Sequence, residues 1–394
     1  MIVVEPRLRE GARTGAWLLE PGFGVYVHVP FCAHRCHYCD FNTYEGLDHL
    51  HEPYCAALVQ AIETWPGDYP SPTSVFFGGG TPTLLPAAHL VRILRAIRNR
   101  FSPAADAEIT VEANPESVDE GKFTALLDGG FNRFSIGVQS LAPNVLASLG
   151  RTHSARRALE ASAAARRAGA GDVNLDLIYG SPWETPGSWS ASLDGVIEAG
   201  PDHVSAYALT VEEGTPLHTL VATGRAPDVD PDAQAERHAT AEERLAGAGF
   251  ARYEVSNWAR PQRASRHNLL DWSAGDYLGF GAGAHSHLGG RRSWATPRPA
   301  DFVAAVEAGG SVQAGCETLA PDERAGEALM LGLRLASGVD LDGFARRFGH
   351  KAIESRRAVI DSLTKTGLLE RVTGRLRLAP SATLLANDVI CRLL

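Results

Sequence analysis

Three cysteines, Cys32, Cys36 and Cys39, fall within the run CAHRCHYC. A Cys-x3-Cys-x2-Cys loop can offer one thiolate to each of three irons of a four-iron cube, leaving the fourth iron without a protein ligand. An open iron of that kind can chelate the amino and carboxylate groups of S-adenosylmethionine (SAM) and pass an electron to its sulfonium. Zinc is the competing metal, with His34 or His37 as fourth ligand. Structural zinc usually draws on two separated ligand pairs, however, and no second pair follows at a suitable distance. Three unligated thiols are the third reading. Phe31, Tyr38 and Phe41 flank the thiolates, where their rings can exclude water, and Tyr38 is placed to meet an adenine. The other cysteines, Cys55, Cys316 and Cys391, stand alone and read as packed thiols.

The cysteine loop follows a short β-rich run, and the same grammar repeats down the chain. Strands are expected at 25–29, 74–77, 108–113, 133–138, 173–178 and 203–209. Helical stretches lie between them, around 53–64, 87–100, 119–128, 143–168 and 187–199. Leu90, Val91, Leu94 and Ile97 recur at a helical period. The strands read as apolar on both faces, as in a parallel sheet covered by helices. Six β/α units predict an α/β fold, a partial parallel (β/α)6 barrel.

Ligands of such folds sit at the C-terminal ends of the strands. Polar groups recur there: Cys32 after the first strand, Gly78–Thr81 after the second, Glu112 ending the third and Gln139 after the fourth. Asp176 lies near the end of the fifth and Tyr207 near the end of the sixth. The run GGGTPT lets backbone approach a ligand closely, although as a strand-to-helix turn it would be unremarkable. Glu112 can accept from a ribose or an ammonium, Gln139 can donate and accept, and Arg151 can clamp a carboxylate. A carboxylate such as Asp176 in a buried strand must bond something. Each residue alone is as readily structural; as a set on one rim they favour a ligand.

Four regions are expected: an N-terminal extension at 1–24, the barrel core at 25–260, a linker region at 261–320 with a Gly/His-rich loop at 279–290, and a C-terminal unit at 321–394. In the last, helices near 323–336, 340–348 and 352–366 precede a hairpin at 367–380, the order of a winged-helix-like α+β domain. Its 12 basic and 9 acidic residues are too balanced for DNA binding, and the whole chain carries a net charge of −9, so no nucleic-acid partner is expected. With 44% hydrophobic and 21% charged residues the composition is that of an ordinary globular protein. No apolar core of a signal peptide and no membrane span is visible, which predicts a cytoplasmic protein with reduced cysteines.

The runs VYVHVPFCAHRCHYCDF, GGGTPT, EANPES, GVQS, LGRTH, DLIYG and SRHNLLDW together resemble the oxygen-independent coproporphyrinogen III oxidase family of radical SAM proteins, from about Tyr26 to the C-terminus. The resemblance implies a [4Fe–4S] cluster on Cys32, Cys36 and Cys39, and SAM on the cluster beside Tyr26, Gly79 and Glu112. It further implies that Tyr38, Gly80, Thr81, Gln139, Arg151, Asp176 and Ala208 match positions around a second SAM. Where the oxidase has a further cysteine this chain has Phe41, and only about 25 residues precede the first strand. Both departures favour the HemW-type heme chaperone branch. That branch's HNxxYW motif corresponds to His267–Trp272, with Asp271 in place of tyrosine, and it implies heme ligation by His267; His285 and His287, in the Gly/His-rich loop, offer alternative ligands. The same resemblance implies heme or another tetrapyrrole as cargo and heme-accepting proteins, respiratory enzymes among them, as partners. Peripheral membrane association and, if SAM is cleaved, an electron donor follow from it as well.

Overall fold

The computed structural model describes residues 16–394, so most of the expected N-terminal extension lies outside the described residues. Six strands, β1 (Phe23–Val29), β2 (Ser74–Gly79), β3 (Glu108–Ala113), β4 (Arg133–Gln139), β5 (Val173–Tyr179) and β6 (His203–Ala208), pair in parallel and in chain order. The connections carry α1 (His51–Glu63), α2 (Ala87–Phe101), α3 (Glu120–Asp128), α4 (Pro143–Ser148), α5 (Ala155–Arg167) and α6 (Pro186–Glu198). In α2 the residues Leu90, Ile93, Leu94 and Ile97 are fully buried, the stripe that a 3.6-residue period lays against a sheet. Side-chain caps start several helices: Asp119 accepts from the Lys122 amide at 2.8 Å, and Thr185 forms a capping box with Ser188.

One helix was expected over 143–168, but the chain forms two. Gly150 at φ +68° interrupts it, and Ser154 caps α5 by accepting from the Arg157 amide. The break has a use, because it turns Arg151 toward the barrel interior. The strands also depart from the expected two apolar faces. One face packs under helices, while the other carries buried polar residues such as Ser74, Thr110, Arg133, Ser135, Asn174 and Ser205.

Beyond β6 come α7 (Pro216–Ala222) and α8 (Pro231–Gly247), then β7 (Ala251–Arg252) and β8 (Asn257–Ala259), which add antiparallel to the β6 edge. Residues 261–320, expected as a linker region, instead extend the sheet at its other edge. After α9 (Arg266–Trp272), β9 (Asp276–Phe280) pairs in parallel with β1. Then β10 (His285–Leu288), β11 (Arg291–Ala295) and, after α10 (Pro299–Glu307), β12 (Gln313–Thr318) follow antiparallel. The twelve strands run in one linear order, so the barrel is partial.

The C-terminal unit is winged-helix-like. It contains α11 (Pro321–Gly332), β13 (Val339–Asp340), α12 (Leu341–Phe348), α13 (His350–Glu354), α14 (Arg357–Lys365), β14 (Leu369–Val372), β15 (Arg375–Leu378) and α15 (Ala386–Cys391), with sheet order β13-β15-β14. Thr373 and Gly374 both have positive φ, the turn that closes a two-residue hairpin. Leu329, Phe344, Ile360, Leu363 and Leu376 form its core, joined by Trp17, whose ring centroid is 6.4 Å from that of Phe344. No described helix is long and apolar enough to cross a membrane.

Candidate functional site

Strand alternation points Glu112 of β3, Arg133 and Ser135 of β4, Asn174 and Asp176 of β5 and Ser205 of β6 into one cavity inside the barrel. Four of them, Ser135, Asn174, Asp176 and Ser205, are mutually bonded. Asn174 Nδ2 donates to Ser135 Oγ at 2.7 Å, to Asp176 Oδ1 at 2.7 Å and to Ser205 Oγ at 3.0 Å. Ser135 Oγ donates to Asp176 Oδ2 at 2.9 Å. His203 closes the network below them, its Nδ1 2.7 Å from Asn174 Oδ1. A bonded network of this kind rigidifies the floor of a site.

The cysteine loop lies across the top. It is held by backbone bonds from the Cys32 amide to the Tyr44 carbonyl at 2.9 Å and from the His37 amide to the Leu149 carbonyl at 3.0 Å. Each thiol has its own polar neighbour. Thr81 Oγ1 donates to Cys32 Sγ at 3.8 Å, Arg151 Nη1 donates to Cys36 Sγ at 3.2 Å, and Thr43 Oγ1 lies 4.0 Å from Cys39 Sγ. The histidines that a zinc reading needs are engaged elsewhere: His34 lies 3.6 Å from Glu45, and His37 Nδ1 is 3.2 Å from the Ser148 carbonyl. Three thiols on one loop, each beside its own donor, fit a cluster with an outer shell of hydrogen bonds.

Two backbone features shape the rim. Gly79 has φ +112°, and a Cβ there would meet the His28 ring at 2.5 Å, so only glycine fits. Gln139 also has positive φ, at 64°, where a bulge shifts the β4–β5 register between Gly137 and Gln139. Bulges and left-handed residues at a site re-aim a side chain, here toward the cavity.

Of the residues expected at the cluster and SAM positions all but Tyr26 line this one cavity of about 440 Å3, whereas His267, His285 and His287 do not. The cysteines, Tyr38, Gly79, Gly80, Thr81, Glu112, Gln139, Arg151, Asp176 and Ala208 all do. Tyr26 is directed at His28, its hydroxyl 2.9 Å from Nδ1. His267 is buried near the opposite end of the barrel, with Nδ1 2.9 Å from Ser74 Oγ and its ring stacked on Phe76 at 5.1 Å. Phe41 stays 65% exposed at the cavity mouth rather than packing over the thiols. The Gly/His-rich stretch, expected as a loop, supplies the end of β9 and all of β10.

Sequence reading missed Arg133, Ser135, Asn174 and Ser205. Their signal was available: polar residues alternate with apolar ones through β4, β5 and β6. Arg133 is a buried cation, with Nε 3.7 Å from Asp172 Oδ1. Burial, and then the charge of Asp176, hold the Glu112 carboxyl up to about 8, opposed by the Gly79 amide that donates to it at 3.2 Å. Burial likewise raises Asp176, against hydrogen bonds from Ser205, Ser135 and Asn174. Burial pushes the Cys32 thiol up to about 11, with the Thr81 hydroxyl pulling it back. Burial thus favours the uncharged form of these carboxyls, while Arg133 and Arg151 line the same cavity with charges that suit an anionic ligand.

Comparison with known proteins agrees with this geometry. The family model described as the radical SAM superfamily matches residues 26–195, and the HemN C-terminal domain matches residues 319–385. A heme chaperone HemW of Mycobacterium tuberculosis is 42% identical over 379 residues, covering 94% of this chain and 95% of its own. The heme chaperone HemW of Bacillus subtilis is 32% identical over 368 residues, covering 93% and 97%. The solved coproporphyrinogen III oxidase of Escherichia coli, described as a radical SAM enzyme, superposes with a TM-score of 0.82 over 97% of this chain and 92% of its own. At 23% identity that last match establishes a shared fold. Extended identity to curated relatives, with the cysteine loop set over a polar barrel, leads to one conclusion: the chain belongs to the HemW heme chaperone family of the radical SAM superfamily.

Proposed function

We propose that this chain binds heme as cargo and delivers it to heme-dependent proteins, while carrying a [4Fe–4S] cluster on Cys32, Cys36 and Cys39 with SAM at the barrel rim. The observation that carries the reading is near-full-length identity to curated heme chaperones. Phe41, exposed where the resemblance places a further oxidase cysteine, supports it. When bound, the cluster supplies an electron to the SAM sulfonium. Around it this chain's residues orient and exclude: Gly79 and Gly80 permit close backbone approach, Glu112 and Asp176 accept from ligand donors, and Arg151 holds Cys36. Delivery in the cytoplasm, respiratory enzymes as recipients, peripheral membrane association and an electron donor for SAM cleavage belong to the same proposal.

The iron ligand implied by the resemblance is His267. Its imidazole is bonded to Ser74 and stacked on Phe76, and burial holds it down to about 3, so it stays neutral. Neutrality suits an axial ligand, and the ring lies outside the cavity beneath the cysteine loop. Titrating heme into the anaerobic, cluster-loaded chain tests the chaperone reading. Saturable binding with a Soret band is expected, and an unbound heme spectrum at equimolar protein would overturn it.

A second reading, oxidative decarboxylation of coproporphyrinogen III, is favoured by the completeness of the rim in one cavity. Incubating the reduced, cluster-loaded chain with SAM and coproporphyrinogen III, followed by mass spectrometry, separates the two. An unchanged tetrapyrrole supports trafficking. Loss of two carboxyl groups, abolished by Cys36→Ala, establishes the oxidase.

A further inference from the structure

The bonded floor of the first cavity continues behind its wall. His203 Nε2 lies 2.9 Å from the Tyr253 hydroxyl, and that hydroxyl accepts from Asn268 Nδ2 at 3.1 Å. Both His203 and Tyr253 are buried, and neither lines the cavity. Asn268 stands on α9, which also walls a second cavity of about 700 Å3 bounded by β9, β10 and α11; the two cavities share Tyr207 and Asn268. One line of side chains therefore joins α9 to the strand ends: Asn268, Tyr253, His203, Asn174 and Asp176.

With Asp176 ionised, the direction of every bond in this line is fixed. A carboxylate only accepts, so the atom facing Asp176 Oδ1 at 2.7 Å is the Asn174 amide nitrogen, and Asn174 turns its carbonyl oxygen to His203. That oxygen also only accepts, so His203 Nδ1 carries a proton. Burial, with the charge of Arg133 adding to it, holds the His203 imidazole well below its usual range. The ring is therefore neutral, and Nε2 keeps a lone pair that takes the Tyr253 proton. The phenol oxygen is left to accept from Asn268. Each donor points toward Asp176, and hydrogen bonds aligned in series strengthen one another.

Asp176 needs such support. Burial favours its uncharged form, and the bonds from Ser205, Ser135 and Asn174 oppose that. Arg133 of β4 favours its charge as well, while Glu112 of β3 and the Tyr207 phenol of β6 face it across the cavity. We propose that His203 and Tyr253 are positioning residues of the first cavity, which hold Asp176 through Asn174 as an oriented, ionised acceptor and anchor it on α9 through Asn268. The inference rests on the reading that SAM occupies the barrel rim, where that carboxylate accepts from ligand donors.

Two measurements on the full-length, cluster-loaded chain test it. Nitrogen NMR on histidine-labelled protein near neutral pH should show His203 neutral with its proton on Nδ1, the signal being assigned by its loss in His203→Gln. A ring protonated on Nε2 alone, or on both nitrogens, overturns the proposal. The second measurement is SAM binding by equilibrium dialysis. Tyr253→Phe removes one hydroxyl and keeps the ring, and should weaken binding about threefold to tenfold near neutral pH, the scale of one hydrogen bond. That loss should grow as pH falls and shrink as it rises, because Asp176 in the weakened line takes up its proton at higher pH, while Glu112, Arg133 and Tyr207 remain in place. An unchanged affinity, or a loss of the same size at every pH as packing alone would give, overturns the positioning role. Should Tyr253→Phe fail to fold, the wild-type tautomer decides. No SAM binding by the wild type overturns the reading of the rim and the positioning role with it, whereas binding by the wild type with the wrong tautomer overturns the positioning role alone.

Discussion

Arg151 Nη1 donates to Cys36 Sγ at 3.2 Å, joining residues 115 positions apart, while its Nη2 donates to the Gly137 carbonyl at 3.2 Å. The guanidinium thus ties the cysteine loop to β4, and it is available only because the helix expected over 143–168 breaks at Gly150. Removing it as Arg151→Ala should cost the thiolate site about 1.5–3 kcal/mol, the worth of a hydrogen bond to a charged group. The cluster's visible absorbance should bleach faster under chelator, with Arg151→Lys intermediate. Equal bleaching rates would show that the contact holds nothing.

Gly79→Ala should be severe for its size. The residue sits at φ +112°, and the added methyl would meet the His28 imidazole at 2.5 Å. Backbone strain alone is on the order of 1–3 kcal/mol, and the clash adds to it. Reduced urea stability together with weakened SAM binding in equilibrium dialysis is expected; full SAM affinity would mean that the glycine only shapes a turn.

Asp271 Oδ1 is buried without a partner, and burial holds its carboxyl up to about 7. In the unfolded chain the group titrates near about 3.9. Between those values the folded chain keeps a proton that the unfolded chain has released. The group's contribution to stability is therefore complete below about pH 4 and lost as pH rises through 7, at up to about 1.4 kcal/mol per unit. Glu184 and Glu254, both raised to about 7 by burial, act in the same direction. Asp271→Asn should give a shallower fall between about pH 4 and 7, read as urea midpoints. Parallel curves for variant and wild type would contradict the buried carboxyl.

Phe344 has no exposed surface and packs between Trp17 and Phe348, with ring centroids 6.4 and 4.7 Å away. Phe344→Ala should lower stability by about 3–5 kcal/mol. Because the same core includes Tyr253 and Leu269, the loss should appear in the main unfolding transition. A separate early transition would instead show that the C-terminal unit melts alone.

What was legible in the sequence was local. The spacing of Cys32, Cys36 and Cys39, the period of Leu90, Leu94 and Ile97, the Thr-Gly hairpin turn and the succession of β/α units all follow from neighbours within a few residues. The rim could be read because parallel β/α units place every strand end on one side, so Glu112, Gln139 and Asp176 had to converge. Tertiary structure decided the rest. Alternation in the sequence sets Arg133 and Asn174 on one face, but their partners Asp172 and Ser205 come from other segments of the chain.

The position of His267 was likewise beyond the reach of spacing. Glu108 at the start of β3 accepts from the Arg266 amide at 2.9 Å and the His267 amide at 3.2 Å, seating α9 near the base of the barrel and setting His267 against Ser74. The sequence by itself determined which residues could hold a cluster and at which strand ends they would gather, because covalent spacing and strand direction suffice for that. Only the tertiary structure decided that His287, Asp271 and Arg292 share a second cavity, because β9, β10, α9 and α11 meet there through long-range packing alone.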